Sequence, residues 1–292
     1  MKNKCVICGF KKFLIVWNEK IRKSSKSFTK SSEEILKCKK CELIFLKDKK
    51  THLENSSYAR KIYNKDNSIK EFIKFHKPRE LKKINSLSNF INIKDKNILE
   101  LNCGAGVILS HFQNISKSTT GVDDAIYKDY LNSKGHNHFQ DINQILKKNF
   151  TYDCIFSMSE LEHKFNPKNY LLKVNRLMKK SSKLIIRVPN FQNIYMHLLG
   201  KSFLKYDYRT SHNFYFSKQN LDLLFKKTNF KTEKILGFHE YSINHLLEFL
   251  KTKKRVYGKE KKLFSDKDNS FAIKNIEDML VSTSLIYILV KK

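Results

Sequence analysis

The stretch NILELNCGAGVILSHF, residues 97–112, runs from an apolar segment through a small-residue loop into helix-spaced apolar positions, with an acid, Glu100, just ahead of the loop. A strand that feeds a glycine turn at the start of a helix is how a parallel sheet presents its backbone to a nucleotide. The dinucleotide fingerprint wants G-x-G-x-x-G, whereas only Gly104 and Gly106 are present here and Asn102 stands where an earlier glycine is expected. Glu100 narrows the choice further. A carboxylate would repel a pyrophosphate at the helix start but suits a cationic ligand such as S-adenosylmethionine, which carries a sulfonium and an ammonium.

Outward from this turn, strand and helix patterns alternate. Residues 68–90 carry helix-spaced apolar positions and should break near Pro78. The run 119–124, TTGVDD, is a second strand ending in Asp123, which is placed to accept ribose hydroxyls. Residues 136–141 give a third strand ending in Asp141, and 152–160 a fourth. Asn166 caps a helix with Pro167 in its first turn, running to about Lys180. Residues 183–190 form a fifth strand, Ser217 caps a helix to Thr228, 230–238 is another strand, and 280–290 the last. This alternation predicts an α/β fold with a doubly wound, mainly parallel sheet and the ligand at the carboxyl ends of the first strands.

The chain divides near residue 50. Before it, Cys5, Cys8, Cys38 and Cys41 form two C-x2-C pairs, the spacing that sets four thiolates around Zn2+. The polar tract from Lys20 to Ser32 fits a hairpin extension between them. The expected units are a zinc-ribbon-like module over 1–50 and a catalytic domain over 51–292, with a lysine-rich helical insert at about 240–270. Cys103 and Cys154 fall on inner strands and are expected in the core.

The formal charge of +30 would suit a polyanion, yet of 58 basic residues only seven are Arg. With abundant Asn, Ile and Phe, this looks like the composition of an AT-rich genome. No leader or transmembrane segment is visible, since the apolar run 280–290 is about half a spanning helix, and a reducing cytoplasmic location is expected.

In order, NILELNCGAG, TTGVDD, YDCIFSMSELEHKFNP, LMKKSSKLIIRVPN and HNFYFSKQNLDLLFKKTNF resemble the successive motifs of class I S-adenosylmethionine-dependent methyltransferases. The closest branch ends its fourth strand in Glu-His-x-x-x-Pro, here Glu162, His163 and Pro167. The cysteine pairs resemble the zinc-binding head of bacterial methyltransferases of sugar and polysaccharide pathways. The resemblance implies a Rossmann-like seven-stranded sheet with an antiparallel last strand. It also implies a cofactor site drawn from Glu100, Asn102, Gly104, Gly106, Asp123, Asp141 and Ser157. His163 and His212 are the catalytic candidates, His212 as general base with an ordinary imidazole pKa near ~6.5, under an aromatic-rich loop at 190–211 suited to a small acceptor. His136 and His138 are expected to be capping or surface residues. Some relatives with Glu-x-x-Glu-His bind a divalent metal there, but Ser159 replaces the first acid. Three readings stay open: a saccharide or nucleotide-sugar methyltransferase, which the resemblance favours, an RNA methyltransferase, and a non-catalytic zinc and nucleic-acid binding protein.

Overall fold

The computed structural model describes residues 4–24, 27–50, 69–254 and 260–292. The expected division near residue 50 and part of the insert border on or fall in segments outside these. Seven strands form the central sheet: β4 (Asn97–Leu101), β5 (Ser118–Val122), β6 (Asn137–Phe139), β7 (Tyr152–Met158), β8 (Met178–Pro189), β10 (Phe230–Phe238) and β11 (Ser284–Lys291). Their order is β10-β11-β8-β7-β4-β5-β6. The five strands β4 to β8 run parallel where they pair, and β11 is antiparallel to both β8 and β10. This is the Rossmann-like methyltransferase arrangement that the resemblance implied.

The sheet is buried on both faces, as its apolar strands require. Side chains alternate between two cores: Leu99, Ile155, Leu184, Ile186 and Tyr287 face one, and Ile98, Phe156, Ile185 and Ile286 the other. Cys103 and Cys154 are buried as expected. A Cβ on Gly121 would sit 2.6 Å from the Cys103 sulfur, so β5 and the loop after β4 touch only because that residue is glycine.

Ten helices are described: α1 (Ile69–Leu87), α2 (Val107–Phe112), α3 (Lys128–Ser133), α4 (Ile142–Lys147), α5 (Pro167–Arg176), α6 (Ile194–Leu199), α7 (Lys201–Asp207), α8 (Lys218–Lys226), α9 (Ile243–Thr252) and α10 (Asp266–Asp278). Three boundaries differ from expectation. Helix α1 continues through Pro78, because Phe72 and Ile73 before it and Leu81, Ile84 and Leu87 after it pack on one core, and that shared burial outweighs one lost hydrogen bond. Helix α5 ends at Arg176, not Lys180. The Leu177 carbonyl accepts the Tyr152 N–H at 2.9 Å, and Ser182 Oγ ties Lys179 N to the Tyr152 carbonyl, so β7 draws the chain into strand at Met178. The last strand starts at Ser284, after a left-handed Leu280. The caps behave as predicted: Asn166 accepts the Asn169 N–H, and Ser217 forms a capping box with Asn220.

The amino-terminal segment forms β1 (Phe13–Glu19), β2 (Glu33–Cys38) and β3 (Ile44–Leu46). A fourth strand, β9 (Phe214–Tyr215), joins them from the far side of the chain, giving the order β1-β2-β3-β9. The head is tied down further where Asn220 Nδ2 donates to the Cys41 carbonyl and Lys227 to that of Ile7. Within the Lys20–Ser32 tract, Arg22 pairs antiparallel with Phe28, the hairpin that was expected. No helix among the described residues is long and apolar enough to cross a membrane.

Candidate active site

At the carboxyl ends of β4 to β7, Asn102, Asp123 and Asp141 line a cleft of about 360 Å3 with Leu101, Val122 and Ile142. Asn102 is left-handed at φ 61°, a conformation Asn tolerates, and its N–H donates to the Val122 carbonyl at 2.8 Å. The turn therefore closes without the missing glycine. Asp123 takes the Gly104 N–H on one carboxylate oxygen at 2.6 Å and the Asp124 N–H on the other at 2.7 Å. A carboxylate oxygen offers two acceptor lone pairs, the chemistry that ribose hydroxyls call for, and Asp123 borders the cleft. Asp141 caps α4 through the Asn143 N–H. The two neighbouring histidines are structural: His136 bonds Thr119 and Ser110, and His138 lies 2.9 Å from the Asp123 carbonyl.

Glu100, Gly104, Gly106 and Ser157 do not line this cleft. Glu100 lies deeper, and burial, reinforced by Glu80, pushes its carboxyl well above the usual range. Its Oε2 has no hydrogen-bond partner. The cleft itself is lined by Asp123, Asp124, Asp141 and Glu160 against Lys164 and Lys173, so the residues present fit a cationic sulfonium ligand. Glu80 of α1, whose Oε2 is also unpartnered, and Lys83, 2.7 Å from its other oxygen, share this region. Sequence reasoning missed both, because α1 reads there only as an amphipathic helix. Gly104 and Gly106 are both left-handed. A Cβ on the first would meet the tip of the Phe72 ring at 2.8 Å and on the second a Leu131 methyl at 2.7 Å, so α1 and α3 pack closely on the loop. The Ser157 hydroxyl is turned into the core, 2.9 Å from that of Tyr170, which corrects the expectation that it reaches the cofactor site.

Across the segment 159–165 lies a second cavity of about 390 Å3, and both candidate histidines line it. Their ring centroids are 5.1 Å apart. His163, at the end of a 3-10 turn (Leu161–His163), donates from Nδ1 to the Ser211 carbonyl. In the neutral ring this leaves Nε2 as the acceptor nitrogen, 4.0 Å from Glu162. His212 is buried, and desolvation, helped by Arg209, His163 and Arg187, lowers its pKa well below the imidazole value. The ordinary pKa expected from sequence is corrected accordingly: His212 is neutral at physiological pH. One ligand atom each from Glu162, His163 and His212 lie within 4.8 Å of one another, a set able to hold a proton or a divalent cation. Ser159 bonds Arg187 instead.

The cavity walls come from segments far apart in the chain. The stretch 190–211 is folded into α6 and α7 and supplies Tyr195, Phe203 and Tyr206. The insert supplies Tyr241, His245 and Phe249. Arg79 and Arg187 converge on Glu240, and against burial these two guanidinium groups hold its carboxyl down to about 2. Sequence reasoning passed over the insert residues because α9 is simply amphipathic.

In the head, the sulfurs of Cys5 and Cys41, and those of Cys8 and Cys38, are 3.5 Å apart, and all four lie within 4.8 Å of one another. Four sulfurs at ~2.3 Å from a tetrahedral Zn2+ would be about 3.8 Å apart, so the site fits that ion. The Cys41 thiol, hydrogen-bonded to Cys5, helps hold the Cys5 pKa below the usual thiol value.

Sheet order, the acid-and-glycine turn after β4 and the acid after β5 together define a class I S-adenosylmethionine-dependent methyltransferase. A family model described as a methyltransferase domain matches residues 64–235, and the chain belongs to that family. Among solved structures, the chain is similar in fold to the complex of a Haloferax volcanii methyltransferase with the Trm112 methyltransferase activator. There the identity is 11%, 75% of this chain and 92% of that chain are covered, and the TM-score is 0.52. It is also similar to an S-adenosylmethionine-dependent methyltransferase from Archaeoglobus fulgidus, with 19% identity, 76% and 99% coverage and a TM-score of 0.47. A search of curated protein sequences gives no match.

Proposed function

We propose that this methyltransferase transfers the methyl group of S-adenosylmethionine to a hydroxyl or acidic carbon of a small sugar-like acceptor, with His212 as the proton acceptor and His163 beside it. The observation that carries this reading is the second cavity, where an imidazole pair and five aromatic rings sit one chain segment away from the cleft lined by Asp123 and Asp141. Aromatic faces cover the C–H faces of a sugar ring while the polar groups between them take its hydroxyls. In this reading Asp123 holds the ribose, Asp141 and Ile142 flank the adenine, and Glu100 balances the positive charge of the methionine end. The four cysteines hold Zn2+, which organises the head.

The bound cofactor supplies a methyl on a sulfur that leaves as a neutral thioether. The protein positions the acceptor and removes its proton. Neutral His212 takes that proton as the new bond to the methyl forms, and positioning contributes much of the acceleration. The test is His212→Ala assayed with labelled cofactor across a panel of sugars and sugar nucleotides. Turnover is expected to fall roughly 10²–10⁴-fold with cofactor affinity unchanged. Unchanged turnover, or a parallel loss of cofactor affinity, would overturn the assignment, and tight RNA binding that collapses with salt would favour the nucleic-acid reading.

A further inference from the structure

Four of the seven arginines of this lysine-dominated chain, Arg22, Arg79, Arg187 and Arg209, line the acceptor cavity. Compositional drift toward lysine does not explain that concentration, whereas the planar donor fork of arginine, which suits oxyanions, does. Three of the four are already engaged. Arg79 and Arg187 share Glu240, and Arg209 bonds Asp207 at 2.9 Å. Arg22 differs. It is 9% exposed, and among the described residues its Nε has no hydrogen-bond partner and no ion pair engages its guanidinium. A buried guanidinium without a partner is costly in an empty site.

Its backbone is held on both sides. The Arg22 N–H donates to the Tyr208 carbonyl at 2.9 Å, and its own carbonyl accepts the Thr210 N–H at 3.0 Å, two residues before His212. The hairpin of the head thus reaches across the chain and delivers one uncompensated positive charge into the cavity that holds the imidazole pair.

We propose that Arg22 binds an oxyanion carried by the acceptor, so that the substrate is an anionic sugar and the amino-terminal head is part of the acceptor site. This rests on the acceptor reading above and narrows it to phosphorylated or carboxylated sugars. Calorimetric titration of the zinc-loaded full chain with glucose 1-phosphate, glucuronate and glucose tests it. At least one charged sugar should bind ten- to a hundredfold more tightly than glucose, and the stronger of the two tells phosphate from carboxylate. Arg22→Gln should abolish that preference, Arg22→Lys should retain part of it, and cofactor affinity and zinc content should hold in both.

Asp207→Asn, which removes the carboxylate that neutralises Arg209, should tighten the charged sugar severalfold, a gain that misfolding cannot mimic and that decides the matter should Arg22→Gln fail to fold. Equal binding of all three sugars, or an Arg22→Gln chain that keeps the preference, would overturn the proposal. Cofactor titration of the wild-type chain separates the two readings: absent cofactor binding removes the methyltransferase reading, while the sugar titrations still decide the role of Arg22.

Discussion

Asp123 and His239 show how differently two buried polar residues can serve one fold. Asp123 ends β5 with both oxygens occupied by backbone N–H groups and still borders the cleft. Asp123→Ala should therefore loosen the Gly104 turn and remove the proposed ribose contacts together, weakening cofactor binding by about 1–3 kcal/mol per lost charged hydrogen bond. Calorimetry showing unchanged affinity would rule out the ribose assignment. His239 is fully buried against the Tyr195 ring, 5.9 Å away and nearly parallel, with neither ring nitrogen bonded. Burial lowers its pKa to about 4. Between that value and ~6.5 the unfolded chain binds a proton that the folded chain does not, so this residue costs stability as pH falls through that window. A His239→Phe chain should gain stability over wild type on going from pH 7 to pH 5, by about 2 kcal/mol, read from denaturant unfolding at the two values. A difference that does not change with pH would show that the ring titrates normally.

The elements that were readable in advance are those with local signals. Short continuous apolar runs marked β4, β7 and β8, and Asn166 and Ser217 announced the starts of α5 and α8, because a cap and an apolar run are properties of a few consecutive residues. The Gly104 turn was readable for the same reason. What escaped was set by contacts distant in sequence: the strand β9 that completes the head sheet, the insertion of Arg22 beside Tyr208, and the turn of Ser157 into the core. Pro78 is the clearest case. Local sterics argue for a break, and the packing of both halves of α1 on one core overrides them. Pro78 is exposed, so Pro78→Ala should restore the bond to the Lys74 carbonyl without loss of packing and raise stability by about 1–3 kcal/mol. A destabilised variant would mean that the helix bends usefully at this point.

The head meets the rest of the molecule through the strand pair Ile44 to Tyr215 and Phe45 to Phe214, the backbone bonds of Arg22 with Tyr208 and Thr210, the Asn220 and Lys227 hydrogen bonds and a core that Ile7, Cys38 and Leu43 share with Leu99 and Leu184. These contacts tie the head down, and in the reading proposed above Zn2+ on the four cysteines adds to them. Structural Zn2+ contributes on the order of 10–16 kcal/mol to the folding of small modules, far more than a short ladder. Removing the metal should therefore have a one-sided effect. The proposed cofactor cleft is lined, among the described residues, by the segments after β4, β5 and β6, by 160–166 and by α5, with none from the head, whereas the proposed acceptor cavity takes Arg22 from it. Chelation, or Cys38→Ser, should weaken charged-sugar binding at least tenfold, lower the melting temperature and leave cofactor affinity within about twofold. Metal analysis of protein purified without chelator should find one zinc per chain. A metal-free preparation that binds both ligands normally would make the cysteine cluster an ordinary piece of core, while simultaneous loss of both ligands would show that the two sheets fold as one cooperative unit.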